Sequence, residues 1–309
     1  MPKAIFLIPI DNMNKKELQH IATNYIFILP AVTLFALFWA YPFLKLFQLS
    51  VFEWDGIVPW DQAVFVGLEH FKNIFIHDSA WWQSMRQAGI ITLIALIFQN
   101  ALALLLALAC DKGIRAARMY RMIYFLPPVL AGIVAGLIWN WIYDGNYGLL
   151  NYWLTRIGLG HFARAWLSDK NTALIAVAII HCWRGFGWSF IILLAGLQVI
   201  PRELYEAAKV DGANAWDSFK RVTMPLMVPV FVIVIILTIL GTMQVYDIIV
   251  ATTRGGPYFH TEVPITRILA ALTGSSRFGY ASALGIIFGL ILFVISMVLI
   301  KASQLVKQE

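Results

Sequence analysis

The sequence contains few charged residues. They make up 13% of the 309 residues, whereas hydrophobic residues make up 60%. Soluble domains carry roughly 25% charged residues, and the mean hydropathy of this chain is +0.75. These values exclude an ordinary soluble globular domain, and they predict an all-α, polytopic membrane protein.

Cysteine is also scarce, since only Cys110 and Cys182 are present. The first lies at the end of one predicted membrane span and the second near the middle of another. We therefore expect their Cα atoms to be further apart than the roughly 7 Å that a disulfide permits. No Cys/His spacing indicates a zinc site. The net charge of +6 is explained by basic loops, so we expect no nucleic-acid partner.

Several functional motifs are missing from the sequence. It contains no G-x-x-x-x-G-K-[ST], no HExxH and no Gly-x-Ser-x-Gly, so it offers no P-loop for ATP and no catalytic set for an intramembrane enzyme. The predicted spans hold no acidic residue well inside them, because Asp247 follows the end of the fifth. One possible function, that of an ion-coupled secondary transporter, is disfavoured by this pattern and is kept as an alternative. Any energy that the protein uses must then arrive through a partner.

Six long apolar segments are present, each with about 20 apolar residues, which is enough to cross a hydrocarbon core of about 30 Å. We predict spans at 21–49, 88–109, 120–143, 172–197, 226–246 and 280–300. Prolines at 30 and 42 should bend the first span, and Pro127 with Pro128 should kink the third. The predicted organisation is an N-terminal segment 1–20, a first helix 21–50, a loop 51–87, a five-helix core 88–302 and a tail 303–309.

Basic residues are concentrated in the short loop 111–121, which contains Lys112, Arg115, Arg118 and Arg121. Short loops rich in lysine and arginine stay in the cytoplasm. Both termini and the loop 201–225 are therefore predicted to be cytoplasmic, and the loop 51–87 is predicted to be extracytoplasmic.

The loop 201–225 has the signals of a helical hairpin. Pro201 is tolerated at a helix start, and residues 202–210 contain good helix formers. Asp211-Gly212 then ends the helix, because glycine adopts left-handed φ without strain. Asn214, with Asp217 three residues later, is typical of an N-cap. Pro225 is predicted to close the unit and to open the fifth span.

The same loop resembles the EAA loop of the membrane subunits of bacterial ATP-binding-cassette (ABC) importers. The resemblance rests on Glu206-Ala207-Ala208, on Gly212, and on the ending Val222-Thr223-Met224-Pro225, where the family has Ile-x-Leu-Pro. In that family the loop is a coupling helix that docks into a cleft on the ATPase subunit. The resemblance implies an ATPase-coupling role for Glu206, Ala207, Ala208, Asp211, Gly212 and Pro225.

Four further stretches, at 66–71, 148–154, 253–257 and 278–283, resemble first-type permease subunits of sugar importers of the maltose and glycerol-3-phosphate kind. The resemblance implies a type I ABC importer permease fold, a sugar substrate and a place in the bacterial inner membrane. It also implies three kinds of partner: a homologous permease subunit in a heterodimer, two ATPase subunits that bind ATP and Mg²⁺, and an extracytoplasmic solute-binding protein. No cofactor is implied for this chain itself.

Polar residues in the fourth and fifth spans are candidates for a solute path. An arginine inside a span costs at least ~2.5–3.5 kcal/mol, so Arg184 should face a cavity, water or a carboxylate. Tryptophan faces and hydroxyl or amide groups suit sugars, although threonine and glycine stripes also simply pack helices together. His181 is interpreted as a packed polar residue. The candidates are Trp183, Arg184, Gly185, Trp188, Thr238, Thr242, Gln244 and Tyr246, and the resemblance also favours these two helices.

Overall fold

A computed structural model describes residues 15–111 and 117–306, with side chains for 23–111 and 118–301. Most of the predicted segment 1–20, the end of the tail 303–309, and the basic residues Lys112 and Arg115 lie outside the described residues. Within the described part, the strands are limited to one antiparallel pair, β1 (Phe52–Glu53) and β2 (Val64–Phe65). The remaining regular structure is helical.

The helices follow one another with short connections. They are α1 (Lys15–Phe35), α2 (Tyr41–Leu49), α3 (Glu69–Ile76), α4 (Ser79–Ile94), α5 (Asn100–Asp111), α6 (Ala117–Val129), α7 (Gly132–Ile142), α8 (Leu149–Arg156), α9 (Ala173–Val199), α10 (Arg202–Val210), α11 (Ala215–Ser218), α12 (Met224–Met243), α13 (Asp247–Thr252), α14 (Pro264–Leu269) and α15 (Phe278–Val306). Single π-helical turns connect α1 to α2 (Ala36–Ala40), α4 to α5 (Ala95–Gln99) and α11 to α12 (Phe219–Thr223), and another follows α14 (Ala270–Gly274).

Five of these helical segments are long and apolar enough to cross a membrane: Thr23–Leu49, Ser79–Asp111, Ala173–Val199, Ala215–Thr252 and Phe278–Lys301. A sixth is obtained if the pair Arg118–Val129 and Gly132–Ile142, bent by 97°, counts as one broken span. The count then agrees with the six predicted spans, and the third span is bent, as predicted. The break follows the prolines, because α6 runs through Pro127 and Pro128 to Val129 and α7 begins at Gly132. The missing N–H of a proline weakens the turn before it, so it does not by itself account for a break at Leu130–Ala131.

The second span starts earlier than the sequence predicts. Helix α4 begins at Ser79 and not at 88, so the end of the predicted loop 51–87 is helical. The carboxylate of Asp78 accepts a hydrogen bond from the backbone N–H of Trp81 at 2.9 Å, which caps the helix. This capping signal extends the helix beyond the apolar run that defined the predicted span.

Asp78 also holds three elements together. Its carboxylate lies 3.3 Å from the Arg267 guanidinium of α14 and accepts a hydrogen bond from the Tyr280 hydroxyl of α15. Burial raises the pKa of Asp78, but the bonds from Tyr280 and Trp81 and the charge of Arg267 outweigh burial and leave the pKa below its ordinary value. A depressed pKa stabilises the fold at neutral pH, and that contribution is lost as the pH falls through the folded-state pKa.

Helix α9 is the centre of the bundle. One apolar cluster joins its first half, with Val177 and Ile180, to side chains of α4, α13 and α15. A second cluster joins its last half, with Phe190 and Leu193, to side chains of α5 and α12. The helices that surround α9 therefore enclose the middle of the fourth span, where the polar candidates lie.

Candidate functional site

A cavity of about 400 Å³ opens beside the middle of α9. Pockets of about 300–1,000 Å³ are typical of small-molecule sites. The floor and walls come from the α4–α5 junction, α9 and α12. The lining residues are Gln99, His181, Arg184, Gly185, Trp188, Ser189, Ile192, Val234, Leu237, Thr238 and Gly241.

The amide of Gln99 is part of the cavity lining, and the neighbouring amide of Asn100 bonds to two further lining residues. Ser189 donates a hydrogen bond to Oδ1 of Asn100 at 2.9 Å, and Thr238 donates to the same atom at 3.2 Å. The Nε2 of Gln99 donates to the hydroxyl of Ser189 at 3.2 Å. Oε1 of Gln99 and Nδ2 of Asn100 are buried without a hydrogen-bond partner among the described residues. The amide of Gln99 and the hydroxyls of Ser189 and Thr238 give the cavity a polar side, which suits a polar solute.

The sequence analysis missed this amide pair. Gln99 and Asn100 interrupt an otherwise apolar run at 90–109, and that interruption is the signal that would have found them. The structure adds a second signal, because the π-helical turn Ala95–Gln99 lies directly before Asn100. Such turns are frequent at functional sites.

Arg184 lines the cavity and is bound to the protein by two groups. Its Nη1 lies 3.1 Å from Oδ2 of Asp247, and its Nε donates to the carbonyl oxygen of Leu130 at 3.1 Å. Leu130 is in the break between α6 and α7, and Asp247 begins α13. Of the three environments that the sequence analysis allowed for Arg184, the structure provides a cavity and a carboxylate.

The other candidates of the fourth span separate into two groups. Trp188 is 58% exposed and lines the cavity, with one edge-to-face contact to Phe125 at 5.1 Å between ring centroids. Trp183 faces away from the cavity lining and contacts Trp139 at 5.7 Å. Gly185 lets α9 approach the π-helical turn Ala95–Gln99 closely, because a Cβ there would lie 2.7 Å from Cδ of Gln99. His181, interpreted as a packed residue, lines the cavity as well.

The candidates of the fifth span do not form one stripe. Thr238 lines the cavity, but Thr242 is fully buried and its hydroxyl lies 2.7 Å from that of Thr92. Helix α12 ends at Met243, so Gln244 and Tyr246 lie in the connection to α13 and not on the predicted span 226–246. In this structure Thr242 packs two helices together, and Thr238 alone of these residues reaches the cavity.

The loop 201–225 forms the predicted helical hairpin. Helix α10 covers Arg202–Val210, as predicted, and Gly212 has φ +82°. The N–H of Ala213 bonds to the carbonyl of Ala208 at 2.9 Å and that of Gly212 to Lys209 at 3.0 Å, which is a Schellman motif. The predicted N-cap is confirmed, because Asn214 accepts from Trp216 and Asp217 in a capping box.

The second arm of the hairpin differs from the prediction at Pro225. Helix α11, the π-helical turn Phe219–Thr223 and α12 form one continuous helix, so Pro225 does not separate the hairpin from the fifth span. The wider π-helical turn precedes the proline and accommodates the missing backbone donor. The Tyr205 hydroxyl of the first arm lies 2.9 Å from that of Thr223, which fastens the two arms together.

The hairpin is exposed and connects the two helices of the cavity. Glu206, Ala207, Asp211 and Gly212 are all solvent-exposed. The first arm follows α9 after only Ile200 and Pro201, and the second arm is continuous with α12. Both α9 and α12 line the cavity. The hairpin is therefore connected to the cavity through both of these helices.

A bundle of membrane-spanning helices that encloses a polar cavity and exposes a helical hairpin at one end is the architecture of a membrane transport subunit. Residues 4–305 match the family of binding-protein-dependent transport system inner membrane components, and the chain belongs to this family. It is thus a transport component of the inner membrane and not itself a catalytic enzyme.

Relatives and solved structures agree with this assignment. The probable ABC transporter permease protein YurN of Bacillus subtilis (strain 168) is 31% identical over 287 residues, which cover 92% of this chain and 97% of that protein. The trehalose/maltose transport system permease protein MalF of Thermococcus litoralis is 27% identical, with coverage of 94% and 97%.

A solved bacterial ABC transporter involved in the import of the acidic polysaccharide alginate has a TM-score of 0.80 at 22% identity, covering 94% of this chain and 97% of the other. A structure of the alginate ABC transporter in complex with an alginate pentasaccharide-bound periplasmic protein gives 0.77 at 21% identity, with coverage of 92% and 94%. These likenesses confirm the predicted all-α importer permease fold.

Proposed function

We propose that this chain is the membrane-spanning subunit of an ABC importer and that it forms half of the path for a sugar or related carbohydrate. The other half comes from a homologous permease subunit in a heterodimer. One observation carries the proposal: the exposed hairpin that bears the EAA-like residues joins the two helices that line the polar cavity. An ion-coupled mechanism has no comparable support.

The hairpin is the surface on which an ATPase subunit docks. Glu206, Ala207 and Gly212 are exposed on the hairpin. Two apolar residues, Val210 and Trp216, are also exposed, to 88% and 67%. Exposed apolar side chains beside small residues suit a shallow cleft on a partner. ATP and Mg²⁺ belong to two such ATPase partners, and an extracytoplasmic binding protein delivers the solute to the opposite end of the bundle. The relatives, which include the permease of a trehalose/maltose transport system, support a carbohydrate solute.

The proposal is tested by assembling the complex with and without its ATPase subunits in nanodiscs. We expect ATP hydrolysis only when both polypeptide types are present, and we expect the solute-binding protein to stimulate it. Hydrolysis by the permease chain alone would contradict the proposal. So would solute uptake into vesicles that requires an ion gradient but no ATP.

The orientation proposed from loop charge has a separate test. In a background without Cys110 and Cys182, single cysteines at positions 60 and 256 should react with a membrane-impermeant maleimide in intact cells. Cysteines at 115 and 206 should react only after permeabilisation, because the positive-inside rule places them in the cytoplasm together with both termini. Labelling at 115 in intact cells would reverse the proposed topology.

A further inference from the structure

The charge state of the cavity is set by a single ion pair. Arg184 is the only Lys, Arg, Asp or Glu among the described residues that line the cavity. Its guanidinium is 3.1 Å from the Asp247 carboxylate, which lies beyond the lining. The pair therefore carries no net charge, and the carboxylate offsets part of the attraction that the arginine exerts on an anion. The ion pair thus adds no net charge to the cavity although an arginine is part of the lining.

The arginine is also held in place. The second bond, from Nε to the Leu130 carbonyl oxygen at 3.1 Å, uses a backbone acceptor in the break between α6 and α7. Gly132 makes room for this arrangement, because a Cβ there would collide with the Asp247 carboxylate. Helix α7 is in turn attached to α13 by the bond from Asn140 to the carbonyl of Ala251 at 2.8 Å. Both partners of Arg184 are thus fixed by the packing of α7 on α13.

The groups left for a solute are uncharged. Gln99, Ser189 and Thr238 line the cavity with amide and hydroxyl groups, and Trp188 presents an exposed ring. Such groups exchange hydrogen bonds with sugar hydroxyls, and an aromatic face suits the C–H face of a pyranose. None of these groups carries a charge that would compensate for the loss of water around an anionic solute.

We propose that the Arg184–Asp247 pair determines specificity: it keeps this half of the path neutral, so that the solute is an uncharged carbohydrate and acidic sugars are disfavoured. Arg184 acts here as a positioning and charge-balancing residue, and Asp247 is the group that prevents it from recruiting an anion. This inference rests on the proposed function and adds the charge class of the solute.

The test uses direct binding to the assembled complex in nanodiscs without the solute-binding protein, so that the preference reports the permease. The probes are maltose, cellobiose and lactose, each paired with the counterpart in which one primary alcohol is oxidised to a carboxylate. We expect the wild-type complex to bind at least one neutral sugar about tenfold or more tightly than its acidic counterpart. Equal or tighter binding of the acidic members, or no binding of any of the six sugars, would overturn the inference.

Substitution of the pair gives a second, independent readout. Asp247→Asn keeps the size of the side chain but releases the charge of Arg184, so the preference for the neutral sugar should fall about tenfold. The double variant Arg184→Gln, Asp247→Asn restores neutrality and should restore the preference. A role in packing alone predicts no such restoration, and an unchanged preference in Asp247→Asn would also overturn the inference.

The control is the second ion pair of the described residues. Asp78→Asn breaks the Asp78–Arg267 contact away from the cavity lining, and it should lower the thermal stability without altering the preference. Abundance of each variant complex is measured alongside. If Asp247→Asn does not assemble, the double variant still decides: loss of the neutral preference there counts against the proposal. Failure of the ATPase to assemble with wild-type chain would instead contradict the proposed function.

Discussion

Replacing Gly212 by aspartate should reduce solute uptake at least tenfold while the chain still inserts into the membrane. Gly212 has φ +82°, and a Cβ built there meets nothing within 4 Å. The new side chain therefore has room in this chain. Apart from the backbone strain that a residue other than glycine meets at this φ, the damage arises at the docked ATPase, where aspartate adds bulk and negative charge. The measurement is uptake per mole of assembled permease, together with the amount of ATPase that co-purifies.

Two further variants separate the causes. Gly212→Asn has nearly the same shape and tolerates the left-handed conformation without adding charge, so it should retain more uptake than Gly212→Asp. Gly212→Ala isolates the backbone strain, which is about 1–2 kcal/mol, and should lower thermal stability more than coupling. Wild-type uptake and normal ATPase recovery in Gly212→Asp would exclude docking at this surface.

Removing the ring of Trp188 should raise the KM of uptake about 5- to 150-fold, which corresponds to roughly 1–3 kcal/mol for a large aromatic contact. Trp188 lines the cavity and is 58% exposed, and its ring contacts that of Phe125. Its loss therefore costs little packing. Basal ATP hydrolysis and assembly should survive, because the hairpin is at the other end of α9. Uptake is measured with the sugar that binds most tightly to the wild-type complex.

Trp183→Ala is the matched control on the same helix. Trp183 does not line the cavity and packs on Trp139 at 5.7 Å. Its loss should lower abundance or thermal stability and leave KM unchanged, because it removes a packing contact and no solute contact. The proposed solute role of Trp188 would fail if Trp188→Ala showed the Trp183→Ala pattern of reduced abundance with normal KM.

Local features of the fold were predictable because their causes are local. The limits of α10, the glycine that ends it and the Asn214 cap depend on residues within one or two turns. A bend in the third span was predicted from Pro127 and Pro128, and the break lies just after them, at Leu130–Ala131. Pro225 shows the limit of this reasoning, since the π-helical turn Phe219–Thr223 accommodates it and the helix continues.

The residues that line the cavity could not be predicted from the sequence, because they depend on which face of each helix meets its neighbours. Thr238 and Thr242 are one turn apart and look equivalent in the sequence. Only Thr238 reaches the cavity, because Thr242 lies against Thr92 of α4. Gln99 and Asn100 stand in an apolar run, and periodicity alone does not show that they face α9 and α12.

The sequence by itself determined that this protein is a helical membrane protein with a helical hairpin at 201–225, because span length and capping residues depend on short stretches of the chain. The role of a transport subunit followed from the resemblance of that hairpin to the EAA loop of importer permeases. Only the tertiary structure decided the environment of Arg184. Its carboxylate partner is 63 residues away and was predicted to lie past the end of a span. The break after Met243 and the close packing of α13 on Gly132 bring Asp247 to the arginine. Such a pairing depends on the three-dimensional arrangement of four helices, which no single segment encodes.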